Sequence, residues 1–132
     1  MPPILGPHHI RLPVSDAWVS RDWYTAILGF VAVLDLEEER GLVGVVLRHA
    51  AGLVVGLHQD PPRAMALRGF AVLGLGMADK DQLERWTEHL DRVGVSHGPI
   101  QEGHLGWYVD VPDPDGILTR FHTGVVPYAE EA

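Results

Sequence analysis

The chain has 132 residues, 46% of them hydrophobic, with 18 Asp and Glu against 10 Lys and Arg for a net charge of −8. That length fits one domain, or two small half-domains sharing a core, and the acidic balance without a basic cluster excludes nucleic acid and anionic membranes as partners. With no cysteine, disulfides and thiolate metal sites are excluded too, which fits a reducing cytoplasm.

The opening "MPPILGPHHI" lacks the basic segment and apolar run of a signal peptide. No apolar stretch approaches the roughly 20 residues needed to cross a bilayer. Lys80 is the one lysine among the basic residues and Asn is missing, a bias that suggests a bacterial source.

From His9 to Val14 the residues alternate, with Ile10, Leu12 and Val14 on one face and His9, Arg11 and Pro13 on the other, as in a half-buried strand. Ser15 is expected to cap a helix through "DAWVSRDWYTAIL" that stops at Gly29 and buries Val19, Trp23, Ala26 and Ile27. Three strands should follow: "FVAVLDLEE", "LVGVVLRH" after a charged turn at Glu37 to Arg40, and "LVVGLHQ", ended by the double proline of "DPPR".

The same order then repeats. "FAVLGLGM" reads as a strand with Leu73, Leu75 and Met77 on one face. Asp79 caps a helix with Leu83, Trp86, Leu90 and Val93 on one side, and Gly94 ends it. Three more strands are expected in "VSHGPIQE", "GWYVDVP" and "GILTRFHTG". Ser15 and Asp79 lie 64 positions apart, Gly29 and Gly94 lie 65 apart. We therefore expect an α+β chain of two βαβββ modules, residues 7–60 and 70–124, joined by a linker at 61–69 and followed by a tail at 125–132, loose beyond Tyr128. Helices cover one face of each sheet, and the other faces are expected to line a partly polar cleft between the modules.

Several of these residues carry a likeness to a known family. "HHIRLPVSDAWVSRDWYTAILGF" resembles the opening of vicinal-oxygen-chelate proteins through His9-Ile10, Val14-Ser15-Asp16, Trp23-Tyr24 and Leu28-Gly29-Phe30, and "DPDGILTRF" resembles the strand closing their second module. The likeness spans roughly residues 7 to 122. The family includes glyoxalase I, extradiol dioxygenases, methylmalonyl-CoA epimerase, fosfomycin-modifying enzymes and bleomycin-binding resistance proteins. The resemblance implies an open, cup-shaped mixed sheet around a ligand, helices on its outside, a divalent metal held by the first and last strands of the modules, and a homodimer.

Carried over position by position, the first metal ligand falls on His9 and the second on His58. The third falls on Val72, which has no lone pair. The fourth is Arg120, four residues beyond Gly116 in "DPDGILTR", where such proteins carry a carboxylate. A guanidinium donates no electron pair and repels a dication. His122, two residues on, is a candidate substitute ligand, as is His104 in the loop before the closing hairpin. His8, His49 and His97 sit near turns and read as solvated; His89 lies in a helix and needs no role.

Without a metal the expected inward faces still define a site. Gly56, Gly74 and Gly76 leave room for a ligand. Arg11 and Arg120 can fork onto a carboxylate, phosphate or enolate oxygen, or either can instead form an ion pair with Asp110, Asp113 or Asp115. Trp107 or Tyr108 can supply an aromatic wall, with the other in the core. Trp23 and Tyr24 read as core.

Three classes of function follow: a metal-independent binding protein of the antibiotic-resistance type, a lyase, isomerase or dioxygenase with a divalent metal on His9 and His58, or a metal-free enzyme with His9 or His58 as general base and Arg120 as oxyanion partner. Each takes a small-molecule ligand, and whether the chain is an enzyme stays open.

Overall fold

The computed structural model describes residues 1–124; the expected tail at 125–132 lies outside the described residues. The chain forms two compact units, one ending at Leu67 and the next beginning at Arg68. Each carries a four-stranded mixed sheet with a helix inserted after its first strand, so both units are βαβββ and the chain is α+β.

In the first unit β1 (Ile10–Val14) leads to α1 (Ala17–Leu28), then β2 (Val31–Glu38), β3 (Gly41–Arg48), β4 (Val54–Gln59) and α2 (Pro61–Ala66), with sheet order β1-β4-β3-β2. The N-cap of α1 is Asp16, one residue later than expected. Its carboxylate accepts from the backbone N–H groups of Trp18 and Val19 at 3.0 and 3.1 Å, two donors where a hydroxyl from Ser15 would have to reach a turn further on. Gly29 ends the helix at φ 78°, the left-handed geometry that glycine adopts without strain.

The buried stripe of α1 is also rotated from the expected one. Ala17, Ser20, Tyr24 and Leu28 are buried, Trp23 and Ile27 are half-buried, and Val19 and Ala26 are exposed. The small Ala17 and Ser20 let the helix lie close to the sheet. The Tyr24 ring fills the remaining space, edge-on to Trp23 and Phe30 at 5.0 and 5.9 Å.

The edge strand β2 is exposed along most of its length. Register shifts between Ala32 and Leu34 and between Leu36 and Glu37, together with Asp35, Glu37 and Glu38, make it a poor template for further pairing. Where a plain linker was expected, the double proline opens α2. Asp60 caps it, bonding the Arg63 N–H at 3.2 Å and the guanidinium at 2.7 Å. Prolines in a first turn lose no helical hydrogen bond, because those N–H groups have no partner in the helix anyway.

In the second unit β5 (Ala71–Gly76) precedes α3 (Lys80–Val93), β6 (Gln101–Glu102), β7 (Trp107–Pro112) and β8 (Leu118–His122), in sheet order β5-β8-β7-β6. Asp79 caps α3, bonding the Gln82 N–H at 2.8 Å, and Gly94 ends it at φ 75°. Leu83 and Leu90 are buried and Trp86 stacks edge-on against buried Phe121 at 4.9 Å, but Val93, in the last turn before Gly94, is exposed.

The strand expected in "VSHGPIQE" shrinks to Gln101–Glu102. Gly98 makes one bond to Asp110 O (2.8 Å), and Pro99, lacking an N–H, cannot extend the ladder. In "DPDG" the buried Asp113 carboxylate accepts from the N–H groups of Asp115 and Ile117 at 2.8 and 3.0 Å, and Gly116 turns the chain at φ 78°. This side-chain turn sets the β7–β8 register.

Two histidines read as solvated are structural. His49 bonds Leu28 O (3.0 Å) through Nε2, and its Nδ1 accepts from the Ala51 N–H (3.0 Å). His97 places Nδ1 on Gly98 O at 2.6 Å and Nε2 on the Asp91 carboxylate at 2.7 Å. Both partners are acceptors, so both ring nitrogens donate only in the imidazolium. The Gly98 carbonyl and then Asp91 raise the His97 pKa above 6.5, against a lowering by burial.

A raised folded-state pKa means stability that is fully present below the unfolded value and is lost as pH rises through the folded value. Thermal melting of wild type and His97→Gln should therefore differ most at acid pH and converge as pH climbs from 6.5 past the folded pKa; a gap independent of pH would refute the charged pairing. A second outcome concerns Ser20, whose buried Oγ has no hydrogen-bond partner among the described residues. Removing an unsatisfied buried hydroxyl and gaining helix propensity should make Ser20→Ala more stable by up to about 1 kcal/mol in denaturant titration.

Candidate functional site

In the first unit the parallel pairing of β1 with β4 sets Arg11 opposite Gly56 and Pro13 opposite His58. Leu12, Val14, Val55 and Leu57 are buried. Alternation puts His9, Arg11, Val54, Gly56 and His58 on the other face. They line a cavity of about 290 Å³, joined by His8, Leu36 and Val46.

Gly56 forms its floor: a Cβ there would sit 3.5 Å from His9 Cδ2 and 3.8 Å from Arg11 Cγ, so both side chains lie over the glycine. His8 and His9 share a hydrogen bond between their Nδ1 atoms at 2.8 Å, which orients the His9 ring. Arg11 has no ion pair or hydrogen bond among the described residues. Beside this cavity lies a second, of about 450 Å³, shared by Arg11, His58, Asp60 and Arg63. There Asp60 and Arg63 neutralise each other: their hydrogen bond holds the Asp60 pKa down and the Arg63 pKa up.

In the second unit Arg120 is engaged. Its Nε and one terminal nitrogen donate to the two Asp110 oxygens at 2.8 and 3.1 Å, the fork geometry of a bidentate pair. This bond raises the Arg120 pKa. The guanidinium lies 4.1 Å over the Tyr108 ring, and Tyr108 stacks on His122 at 5.8 Å. Tyr108 thus faces the same side as Arg120 and His122. Trp107 turns to the other side, with Lys80 of α3 above its ring at 4.1 Å, so Tyr108 is the available aromatic wall.

Gly74 pairs with Arg120 and Gly76 with His122. Among the described residues no atom beyond the chain neighbours lies within 4 Å of where a Cβ would stand on either glycine. His122 lines a cavity of about 310 Å³ with both glycines and Leu105. Val72 falls within a register shift between Ala71 and Leu73, half-buried. His104 is exposed in the β6–β7 loop.

The four positions that the family resemblance assigns to a metal hold His9, His58, Val72 and Arg120. Val72 offers no donor, and Arg120 is a cation held by Asp110. No group of three or more His, Cys, Asp or Glu able to hold a metal occurs among the described residues. Two imidazoles fall short of the three protein ligands typical of a catalytic site, so this donor set does not fit the family's metal. Sequence reasoning missed His8 and Leu36 in the first cavity; the pairing of β2 beside β3 brings Leu36 there, and short-range patterns carry no sign of it.

The sequence matches the Glyoxalase/Bleomycin resistance protein/Dioxygenase superfamily over residues 6–121, and the chain belongs to that family. No curated protein sequence matches it significantly. Among solved structures it is similar to the fosfomycin resistance protein FosX from Listeria monocytogenes (19% identity, 93% of this chain and 96% of that one, TM-score 0.73). It is also similar to lactoylglutathione lyase from Agrobacterium tumefaciens (18%, 93% and 96%, 0.72) and to TnmS3, an antibiotic binding protein from Streptomyces sp. CB03234 (20%, 92% and 99%, 0.69). At these identities the likeness is one of fold, and the three differ in function. No helix among the described residues is long and apolar enough to cross a membrane.

Proposed function

We propose that this protein binds a small organic molecule against the face of the first sheet bearing His9, Gly56 and His58, and does so without the family's metal centre. One observation carries the reading: the cavity over Gly56 joins an apolar wall of Leu36, Val46 and Val54 to a few polar groups, the composition of small-molecule sites. Its volume of about 290 Å³ is near the lower limit for such sites and favours a compact ligand. TnmS3, an antibiotic binding protein by its description, offers a precedent for small-molecule binding on a similar fold.

The neutral dye N-phenyl-1-naphthylamine, whose fluorescence rises in apolar surroundings, tests this. Wild type should bind it, and Gly56→Leu should weaken binding at least about tenfold, a loss of about 1.4 kcal/mol. An added Cβ meets only ordinary contacts and the backbone there is not left-handed, so the variant should melt like wild type. Undiminished dye binding by a folded Gly56→Leu overturns the reading.

The shared placement of His9 and His58 on one cavity supports a second reading, a divalent-metal lyase, isomerase or dioxygenase with these two as ligands. Elemental analysis with native mass spectrometry on untagged protein separates the two. The binding reading expects a homodimer with metal well below one equivalent per chain; a full equivalent of transition metal that survives dialysis and is lost in His9→Ala supports the alternative.

A further inference from the structure

We propose that the ligand of the first cavity is an organic anion, a carboxylate, sulfonate or phosphate on a compact apolar body, and that Arg11 is the residue that selects it. The inference rests on the binding reading above and adds the charge of the ligand and the group that reads it. The two arginines that the sequence offers for an anion differ in their surroundings. Arg120 has one edge of its guanidinium held by both oxygens of Asp110, and its plane lies over Tyr108. A ligand anion there would meet a cation already neutralised by a carboxylate.

Arg11 has no such competitor. Its stem lies over Gly56, and it has no ion pair among the described residues. None of the residues lining the cavity is acidic. The nearby Asp60 is held by Arg63 at 2.7 Å, so no lining carboxylate neutralises Arg11.

This matters in a chain with a net charge of −8. The surface as a whole repels anions, so an anion is retained only where a local cation is left uncompensated and geometrically placed. A guanidinium beside an apolar wall suits an amphiphilic anion: the wall takes the body and the fork takes the charged end. His9 and His58 flank the same cavity and offer ring nitrogens to the remaining oxygens.

The test compares two dyes of nearly the same body, N-phenyl-1-naphthylamine and its sulfonate relative 8-anilinonaphthalene-1-sulfonate, by fluorescence titration of the full chain. Wild type should bind the sulfonate about tenfold more tightly than the neutral dye. Arg11→Gln should abolish that preference, weakening the sulfonate more than the neutral dye, and should keep the melting temperature, since Arg11 is exposed. Arg48→Gln, which removes an equal charge from an exposed position on β3 outside the cavity lining, should keep the preference.

Equal affinity of wild type for the two dyes overturns the inference and leaves the binding reading standing. Loss of the preference in Arg48→Gln as well as Arg11→Gln overturns it too, because a general field rather than Arg11 would be responsible. Failure of wild type to bind either dye removes the binding reading and the inference with it.

Discussion

The register between β1 and β4 is the constraint on which the first unit depends. Opposite each other stand Ile10 and Val55, Arg11 and Gly56, Leu12 and Leu57. A slip of β1 by one residue would turn Leu12 and Val14 outward and send Arg11 beneath α1. Burying these aliphatic side chains contributes roughly 1.5–3 kcal/mol each, while an unpaired guanidinium in their place would cost several. The hydrophobic face thus fixes the register, and the register in turn sets the cavity-facing groups. The polar site is a by-product of packing on the opposite face.

The second unit uses the same device with a different outcome. Leu73, Thr119 and Phe121 are buried and place Gly74, Arg120 and His122 on the other side. There the antiparallel neighbour β7 brings Asp110 into register with Arg120 and Tyr108 with His122, and the cation is satisfied within the sheet. On the first sheet the neighbours of Gly56 are Val46 and Arg11, and no carboxylate is offered. Two equivalent scaffolds therefore present one closed and one open cation, a difference decided by what a single neighbouring strand carries.

Much of this was legible in the sequence because it is local. Alternation marked β1, β4 and β8. Gly29 and Gly94 marked helix ends, since each must adopt a left-handed backbone. The repeat of about 64 residues and the His9 to Phe30 and "DPDG" stretches pointed to the family. The misses share a cause: each turns on which of two nearby groups wins a contact. Asp16 outcompeted Ser15 for the free N–H groups of α1. The prolines after Asp60 ended the β4 ladder as expected but also opened a helix in the linker. Pro99 cut the β6 ladder short, and Asp91 with Gly98 took His97 out of solvent. The site was readable as a set of residue types on faces, but whether Arg120 was free or paired was left open, because that depends on a partner ten residues away across a hairpin.

The division of labour between faces also explains why so little identity is needed to keep this fold. Residues such as Leu12, Val55, Leu73 and Phe121 are nearly inaccessible, and exchanging them carries the cost of cavities or overpacking. His9, Arg11 and His58 are exposed, and exposed substitutions usually change stability little. The position that the family resemblance assigns to a fourth ligand can therefore carry an arginine, Arg120, because Asp110 takes up its charge. The scaffold constrains the chemistry only by setting which positions share a face. For that reason proteins of 18–20% identity can keep this fold while the groups on the open face, and the ligands they choose, diverge.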